Sequence, residues 1–337
     1  MIQFEVAQTQ EDWNEALVLA TKVFSEHSSN EGYGGYKTSL WYDDSSFAIK
    51  NLIVARNGKG DIVGMVRLVP RVLFQRGRKL SVAGFSSICL DPKEQGKGSS
   101  IPLMNFSIDI AKNRGFDIAL LFARRAMDHY YPRLGFWGVS SYNRLEVKIP
   151  DNSSVGDEVE LAQSSLNHIE LYDQAYQESY ENVLGRIERN PQYWQNLVTA
   201  SYQTGRQMQT IKWKNQDVGY VIFDARTVFE IASREPQAFD GVLRLLSSLQ
   251  KQKVVSFLLS VDHKMLVELK HLDLSVSYRE CPWGGHMVRL LNVTVGNEQL
   301  PSYDETLSFL RVRAISYSVD VSAHKYSPFN ICAMDEF

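Results

Sequence analysis

The fold is decided by the stretch Val82-Ala83-Gly84-Phe85-Ser86-Ser87-Ile88-Cys89-Leu90-Asp91-Pro92-Lys93-Glu94-Gln95-Gly96-Lys97-Gly98-Ser99-Ser100. Its apolar first half predicts a β-strand, which Asp-Pro ends because proline has no N–H to donate to a ladder. The polar Gly-Lys-Gly turn then leads into apolar residues at helical spacing, namely Ile101, Met104, Ile108 and Ala111. Small residues at the start of a helix let backbone N–H groups converge where the helix dipole favours negative charge. The turn is therefore predicted to cradle a pyrophosphate.

Upstream of this stretch, the sequence predicts a strand, a helix and a hairpin. Residues 1–5 form the strand, and a cap at 9–12 precedes a helix with apolar positions at Trp13, Ala16, Leu17, Ala20 and Phe24. Two apolar runs, 51–56 and 62–70, flank a glycine-rich turn and predict antiparallel strands. The glycine-rich and aromatic segment 25–46 suits either a loop over a site or a surface connection.

Downstream, the unbroken apolar run 118–123 is typical of a strand that is covered on both faces. A short helix from about Ala126 and strands at 136–139 and 142–149 are predicted to complete a first unit. The polar, acidic stretch that follows indicates a linker. The predicted organisation is a catalytic domain at 1–150, a linker at 151–165, a second domain at 166–295, and a C-terminal tail at 296–337 with a strand-like stretch at 309–321.

The second half repeats the order of the elements in the first. Helical patterns at 169–186 and 193–199 precede a hairpin, a strand and a further helix, and strands are predicted at 208–213, 219–223, 228–232, 254–260, 274–278 and 286–293. The difference lies at the turn, where Ser233-Arg234-Glu235-Pro236-Gln237 has no glycine and adds a carboxylate. The second unit is therefore predicted to bind no pyrophosphate, which leaves one cofactor per chain.

Length, charge and cysteine content exclude several classes of protein. The 337 residues exceed one ordinary core and favour two domains. The net charge of −3 gives no footprint for nucleic acid, and Cys89, Cys281 and Cys332 lack the paired spacing of a zinc site. No apolar run approaches the roughly 18 residues of a membrane helix, and the N-terminus lacks the profile of a secretory signal. We expect a cytoplasmic protein with no metal, no nucleic-acid partner and no membrane partner, and the sequence leaves a homo-oligomer open.

Two motifs resemble those of a known superfamily. Gln95-Gly96-Lys97-Gly98-Ser99-Ser100 resembles the acetyl-CoA loop of the GNAT N-acetyltransferases, Gln/Arg-x-x-Gly-x-Gly/Ala, with Ser100 in place of the last Gly or Ala. A second segment resembles the superfamily's Ala…Tyr-x-Lys/Arg-x-Gly-Phe signature and reads Ala126-Met127-Asp128-His129-Tyr130-Tyr131-Pro132-Arg133-Leu134-Gly135-Phe136. Loop, helix, apolar strand and second signature together make the resemblance specific.

The tandem order is similar to that of the Eis-like acetyltransferases, in which a degenerate GNAT domain follows an active one. Residues 287–293 resemble the arginine-containing strand that ends the second unit in those proteins. Eis-like proteins then carry a sterol-carrier-like domain, which the roughly 40 residues after that strand are too few to form. The resemblance implies an α/β protein with two tandem GNAT-like domains, each a mixed, mostly antiparallel twisted sheet flanked by helices.

The resemblance also implies a reaction. The first domain is expected to be an N-acyltransferase that takes acetyl-CoA, or another acyl-CoA, as its co-substrate and acylates a primary amine of a small-molecule acceptor by direct attack on the thioester. Two alternatives stay open at this point. One is a non-catalytic acyl-CoA-binding or regulatory protein, and the other is a transferase for longer acyl chains or for amino sugars.

The resemblance assigns the cofactor to the loop and to the strand before it. The backbone of strand 82–90 would contact pantetheine, with the thioester oxygen near Ile88 or Leu90, and the loop amides would bind the pyrophosphate with help from two side-chain donors. The cofactor-binding set is thus Ile88, Leu90, Gln95, Gly96, Lys97, Gly98, Ser99 and Ser100. Three arginines, Arg124, Arg125 and Arg133, are candidates for cofactor phosphates or for ordinary ion pairs.

Tyr131 matches the superfamily's tyrosine that protonates the leaving thiolate. A phenol can do this because it holds its proton at neutral pH. Adjacent Tyr130 is a rival for the role, and Tyr131 could instead be a core aromatic beside Leu134 and Phe136.

The general base is left open by the sequence. His129 lies in the second motif, and four carboxylates flank the segment 25–46, namely Glu26, Glu31, Asp43 and Asp44. Eis-like proteins end on a residue whose terminal carboxylate reaches the active site, and by this resemblance Phe337 is a further candidate catalytic residue.

Overall fold

The computed structural model of the chain describes residues 2–25, 46–75, 77–127, 129–139, 142–150, 158–200, 206–260, 262–269, 272, 274–281, 284–292, 306 and 310. Outside this part lie nearly all of the expected loop at 25–46, residues 151–157 of the expected linker and most of the tail. Leu310 is the one described position of the expected strand at 309–321. It is helical and buried, so that strand does not begin there.

The described residues contain fifteen strands and six α-helices. The strands are β1 Gln3–Val6, β2 Leu52–Arg56, β3 Ile62–Gln75, β4 Arg78–Leu90, β5 Ile118–Arg124, β6 Trp137–Gly138, β7 Tyr142–Lys148, β8 Val159–Gln163, β9 Arg186–Ile187, β10 Gln207–Trp213, β11 Gln216–Phe223, β12 Thr227–Ser233, β13 Val254–Phe257, β14 Ser275–Cys281 and β15 Gly284–Leu290. The helices are α1 Gln10–Ser25, α2 Ser100–Asn113, α3 Ile169–Ser179, α4 Pro191–Ala200, α5 Ala238–Gln250 and α6 Lys264–Leu269. Short 3-10 turns span Ile49–Asn51, Pro92–Glu94, Arg125–Met127, Tyr131–Leu134 and Leu166–His168.

Two mixed sheets organise these elements, and each contains one parallel pair among its described strands. The first sheet has the order β1-β2-β3-β4-β5-β15-β6, with β9 added to β3, and its parallel pair is β4 with β5. The second has the order β14-β7-β13-β12-β11-β10-β8, and its parallel pair is β12 with β13. This confirms the predicted fold class of two mixed, mostly antiparallel sheets flanked by helices.

The two units exchange strands, which corrects the sequence-based assignment of two strands. The strand predicted at 142–149 was expected to finish the first unit, but β7 pairs with β13 and β14 of the second sheet. The strand predicted at 286–293 was expected to finish the second unit, but β15 pairs with β5 and β6 of the first. Periodicity identifies a strand and says nothing about its partner, since pairing is a non-local choice. The domain limits at 150 and 166 remain a proposal.

Helices α1 and α2 cover opposite faces of the first sheet. The side chains of a strand alternate between the faces, so Leu52 and Val54 of β2 pack with α1 around the buried Trp13, whereas Ile53 and Ala55 pack with α2 around Met104. The predicted helical positions Met104, Ile108 and Ala111 are all buried. The hairpin of β2 and β3 is antiparallel, as predicted, and the Asn57 side chain accepts from the amides of Lys59 and Asp61 in its turn.

The core of the second unit contains a buried ion pair. Arg189 donates to both carboxylate oxygens of Glu230 over 2.6 and 2.8 Å, and both side chains are fully buried. The hydroxyl of Tyr220 donates to the same carboxylate. The guanidinium carbon lies 3.9 Å from the ring centre of Tyr176 and 4.8 Å from that of Trp194. Each charge is thus compensated inside an aromatic cage.

We predict that Arg189→Met destabilises the protein by about 3–5 kcal/mol, because it leaves the carboxylate of Glu230 buried without its cation. The double variant Arg189→Met with Glu230→Gln should regain at least half of this loss, since the amide stays neutral and still accepts from Tyr220. Chemical denaturation followed by circular dichroism measures both effects. Arg234→Met is the control, because its partner Glu178 is 3.4 Å away and both side chains are about half exposed. A loss from Arg234→Met equal to that from Arg189→Met would contradict the argument.

Candidate active site

A gap opens in the first sheet where its two parallel strands part. β4 and β5 pair only from Val82 with Ile118 to Gly84 with Leu120. Beyond this point β4 continues beside β3 as far as Leu90, and β5 continues beside β15 as far as Arg124. Open α/β sheets bind ligands in crevices at the carboxyl ends of their parallel strands, so the gap is the natural place to look for a site.

A β-bulge in β4 lies at the edge of this gap. Met65 pairs with Cys89 and Arg67 with Ser86, so Ser87 and Ile88 together face the single residue Val66. Ser87 has a φ of 51°, in the left-handed region that residues other than glycine seldom adopt. Bulges of this kind re-aim the backbone beside functional sites. Sequence reasoning missed the bulge, because a serine carries no signal for a positive φ.

The loop that follows β4 leaves a run of backbone donors unused. Gly96 and Gly98 have φ values of 76° and 86°, which only glycine adopts without strain. The N–H groups of residues 96–101 donate to no described residue, and the first bond into the helix is from Leu103 to the carbonyl of Ser99. These donors lie at the N-terminus of α2, where the helix dipole favours an anion.

Side chains hold the first half of the loop. Asp91 accepts from the amide of Lys93 and forms an ion pair with Lys22 of α1 at 2.7 Å, and these contacts lower the pKa of Asp91. Gln95 donates to the carbonyl of Leu90 at 3.1 Å, so this side chain closes the end of β4. Lys97 is exposed and 3.1 Å from the carboxylate of Glu94. The loop is thus fixed by its first half and open in its second.

In the equivalent loop of the second unit, backbone N–H groups donate to other atoms of the protein. The amide of Ser233 donates to the Ser179 hydroxyl, that of Arg234 to the carbonyl of Val218, and that of Glu235 to the Ser233 hydroxyl. The next two amides at the start of α5, Ala238 and Phe239, donate to carbonyls of the same turn. That the second unit binds no pyrophosphate stays a prediction.

Tyr131 begins the 3-10 turn that lies near the start of α2. It is 7% exposed, with its ring centre 5.1 Å from that of Tyr130 and 6.1 Å from that of Phe136. Burial raises the pKa of Tyr131 well above its usual value, and neighbouring Tyr130 adds to this. No described residue forms a hydrogen bond with its hydroxyl.

Tyr130 lies closer to the loop than its neighbour does. Burial raises the pKa of Tyr130 less than that of Tyr131, because a hydrogen bond with Ser100 and the charge of Arg133 favour the phenolate. The contact with Ser100 joins the second motif to the first residue of α2. The structure therefore brings the two motifs together, as their order in the sequence implied.

The remaining candidates are either exposed or outside the described residues. His129, Arg124 and Arg133 are exposed. The candidate bases Glu26, Glu31, Asp43, Asp44 and Phe337 lie outside the described residues. Among the described residues, no group of three or more His, Cys, Asp or Glu side chains is arranged to hold a metal ion.

Strand β15 contributes two polar residues that the sequence did not assign to the first unit, and they lie on opposite faces of its sheet. His286 is buried against Phe122, at 5.5 Å between ring centres, and burial lowers its pKa to about 4, so the imidazole is neutral. Arg289 donates to the carbonyl of Leu134, in the turn that begins with Tyr131. In the sequence, these two residues stand out as an arginine and a histidine inside an apolar run. The strand exchange shows that both belong to the sheet of the first unit.

Residues 7–140 match the sequence model of a family described as the acetyltransferase (GNAT) domain. The N-terminal unit, hereafter the GNAT domain, is thus similar in sequence to this family over residues 7–140. The match covers the gap, the glycine loop and the turn of Tyr131, so the superfamily resemblance of the two motifs is confirmed.

Solved structures agree with this fold over most of the chain. A GCN5-related N-acetyltransferase from Anabaena variabilis superposes with a TM-score of 0.66 at 17% identity, over 87% of this chain and 73% of the other. Eis1 from Mycobacterium abscessus gives a TM-score of 0.59 at 14% identity, over 86% and 74%. Saccharomyces cerevisiae N-myristoyltransferase with bound myristoyl-CoA gives 0.55 at 9% identity, over 85% and 82%. A comparison with curated protein sequences finds no match. At these identities the likeness concerns the fold, and it extends across both GNAT-like units.

We predict that Cys89 resists alkylation in the folded GNAT domain. The residue is 7% exposed on the α1 side of β4, and burial, with a smaller contribution from the charge of Asp91, raises the pKa of its thiol to about 12. Since the thiolate is the nucleophile, iodoacetamide at pH 8 should leave the peptide of Cys89 unmodified in mass spectra of the native protein. Protein unfolded in urea is the control and should be fully modified. Rapid modification of native protein would mean that β4 opens on the side of α1.

Proposed function

We propose that the GNAT domain transfers an acetyl group from acetyl-CoA to a primary amine of a small-molecule acceptor. The observation that carries this proposal is the alignment of three features along one gap: the unused amides of residues 96–101, the free edge of β4, and Tyr131. A coenzyme that is anionic at one end and reactive at the other fits such an arrangement. Acyl-CoA is an intracellular co-substrate, so the proposal places the protein in the cytoplasm.

The loop would bind the diphosphate of the coenzyme. The amides of residues 96–101 would donate to it at the positive end of α2, with Lys97 as a mobile charge. Ser99 and Ser100 suit this because their side chains are small and they keep their N–H groups. Gln95, already bonded to Leu90, would shape the loop and contribute a donor only if that bond is exchanged.

The pantetheine arm would lie against β4 where that strand has left β5. An extended ligand can pair with a free strand edge through its amide groups. Ile88 comes directly after Ser87 in the bulge. The next residue after β4, Asp91, donates its amide to the carbonyl of Val63 on β3. Because hydrogen-bonded pairs alternate along an antiparallel ladder, the backbone groups of Leu90 point away from β3. An N–H in this region would polarise the thioester carbonyl.

Tyr131 would supply the proton to the leaving group. The amine nitrogen attacks the carbonyl carbon, a C–N bond forms, the C–S bond breaks, and the thiolate takes the phenolic proton. Burial favours the protonated phenol at neutral pH, which is the form this step requires. The proton of the amine passes to a base, for which Phe337, His129 and the four carboxylates at 26–44 remain proposals.

Calorimetry and a thiol-release assay test the proposal together. The chain is titrated with acetyl-CoA and with longer acyl-CoAs, including myristoyl-CoA because one structure of similar fold holds it. A panel of small primary amines is then assayed for release of free CoA thiol. Release with an amine supports the proposal, and the acyl-CoA that is turned over fastest decides the chain length. Binding without release on any amine favours a non-catalytic acyl-CoA-binding protein, and absence of binding contradicts both.

We predict that Gly98→Ala weakens the binding of acetyl-CoA about tenfold. A side chain at a positive φ costs on the order of 1–2 kcal/mol, and the loop relieves this strain by rotating peptides that carry the anion-binding N–H groups. Gly60→Ala is the matched control, because Gly60 has a φ of 91° and, like Gly98, has open space around the new methyl group, but lies in the turn between β2 and β3. Calorimetric dissociation constants compare the two. Equal affinities of the two variants would count against the loop as the phosphate site.

We predict that Tyr131→Phe lowers kcat about 100-fold and changes the KM for acetyl-CoA less than threefold. The substitution removes only the proton donor and keeps the ring contacts with Tyr130 and Phe136. Tyr130→Phe is the control, since it removes the neighbouring hydroxyl that contacts Ser100. Steady-state thiol release measures both variants. If Tyr130→Phe shows the larger loss of kcat, Tyr130 is the acid and the assignment to Tyr131 is wrong.

A further inference from the structure

Strand β15 comes from the C-terminal half of the chain but completes the sheet of the GNAT domain. It pairs with β5 along its whole length, from Gly284 with Arg124 to Leu290 with Ile118. Alternate residues of β15 face the side of the sheet that α2 covers, and Met287 and Leu291 pack there with Tyr131, Leu134 and Phe136. Arg289 lies between these two residues on the same face.

The side chain of Arg289 reaches the turn that holds Tyr131. Its terminal Nη1 donates to the carbonyl of Leu134, whose own side chain is 2% exposed. Arg289 is half-buried, and burial lowers its pKa, which the exposed carboxylate of Asp109 on α2 offsets in part. A charged donor to a buried carbonyl is among the stronger hydrogen bonds of proteins.

Three carbonyls of the turn and of the residue before it accept from amides of the same segment, and Tyr130 adds a hydrogen bond with Ser100 of α2. The carbonyls of Tyr130, Tyr131 and Pro132 accept from the amides of Arg133, Phe136 and Gly135, in that order, over 3.3, 3.2 and 3.0 Å. The carbonyl of Leu134, the last residue of the turn, accepts from Arg289. Arg289 thus anchors the turn to β15, whereas Tyr130 links the same segment to α2.

We propose that Arg289 is a positioning residue for Tyr131, so that a side chain from the C-terminal half sets the catalytic geometry of the N-terminal half. The bond to Leu134 fixes the height and tilt of the turn above β5 and β15. Tyr131, at the other end of the same turn, is thereby held against Phe136, at 6.1 Å between ring centres. This inference rests on the proposed function only in that Tyr131 is the acid of the reaction.

Arg289→Met and Arg289→Lys test the role in turnover. Methionine keeps the apolar stem but leaves the Leu134 carbonyl without a donor, so kcat should fall about 10-fold to 100-fold, as expected for a small misplacement of a reacting group. The KM for acyl-CoA should change less than threefold, because the loop at residues 96–101 is untouched. Lysine offers a single donor and should restore part of kcat.

Asn292→Ala is the matched control. Asn292 also follows β15, and its side chain donates to the carbonyls of Lys112 and Phe116 at the end of α2, away from the turn of Tyr131. The substitution Asn292→Ala therefore loosens the same segment and leaves the hydrogen bond to Leu134 in place. Its kcat should stay within twofold of the wild-type value.

Hydrogen exchange gives a second readout that does not depend on an acceptor. Deuterium uptake by a peptide spanning 130–136 should be about tenfold faster or more in Arg289→Met, with β2 and β3 unchanged, since one strong hydrogen bond has been lost from the anchor. A lower kcat together with this local increase supports the positioning role. A change in only one of the two, or effects equal to those of Asn292→Ala, overturns it. If the wild-type chain releases no thiol with any amine, the proposed function fails, and the exchange result alone decides whether Arg289 anchors the turn.

Discussion

The early parting of β4 and β5 is the constraint on which the rest of the GNAT domain depends. A parallel ladder that ends after three residue pairs leaves backbone N–H and C=O groups in the middle of a sheet without strand partners. Such groups are costly when buried unless something else bonds them. Three features of the chain lie next to this opening. Gln95 closes the last carbonyl of β4, the bulge at Ser87 redirects the strand beside the gap, and α2 presents its unused amides at one end. A ligand with its own amide groups and a terminal anion would complete what the fold leaves open.

The gap can exist only because β5 has a partner on its other side. That partner is β15, which arrives from the far end of the sequence, while β7 leaves the first half to complete the second sheet between β13 and β14. The short strand β9 adds a third link by pairing with β3 through Leu73 and Ile187. Two sheets that each borrow a strand cannot form independently, so the halves are units of architecture and not separate folding units. The same exchange delivers Arg289 to the turn of Tyr131, which ties the geometry of the site to the presence of the second half.

Many elements of the fold could be predicted from local signals in the sequence. The pairing of strands that are distant in the sequence could not. The hairpin at residues 57–61, the spacing of Met104, Ile108 and Ala111, and the strand-turn-helix order at 82–100 each depend on neighbours within a few residues, and the structure agrees with them. The strand exchange depends on pairs of residues more than a hundred positions apart, such as Leu145 with Phe257. The buried pair of Arg189 and Glu230 was equally invisible, because each residue alone is typical of a solvated surface. Most candidates for the general base lie in segments that the described structure does not include.

The second unit treats the corresponding position in its sheet differently. Its parallel strands β12 and β13 also part early, after Thr227 with Ser256 and Val228 with Phe257. At this point a histidine side chain forms a hydrogen bond with a backbone carbonyl of β12, because Nε2 of His263 lies 3.0 Å from the carbonyl of Ile231. The amide of Met265 donates to Nδ1, which assigns the proton to Nε2, and burial lowers the pKa of His263 to about 4. The neutral imidazole of His263 packs edge-on with the ring of Tyr180 and thus occupies the space beside β12. The loop amides at 233–235 are also satisfied internally, so the second unit bonds within the protein backbone groups whose counterparts at 96–101 have no described partner in the first.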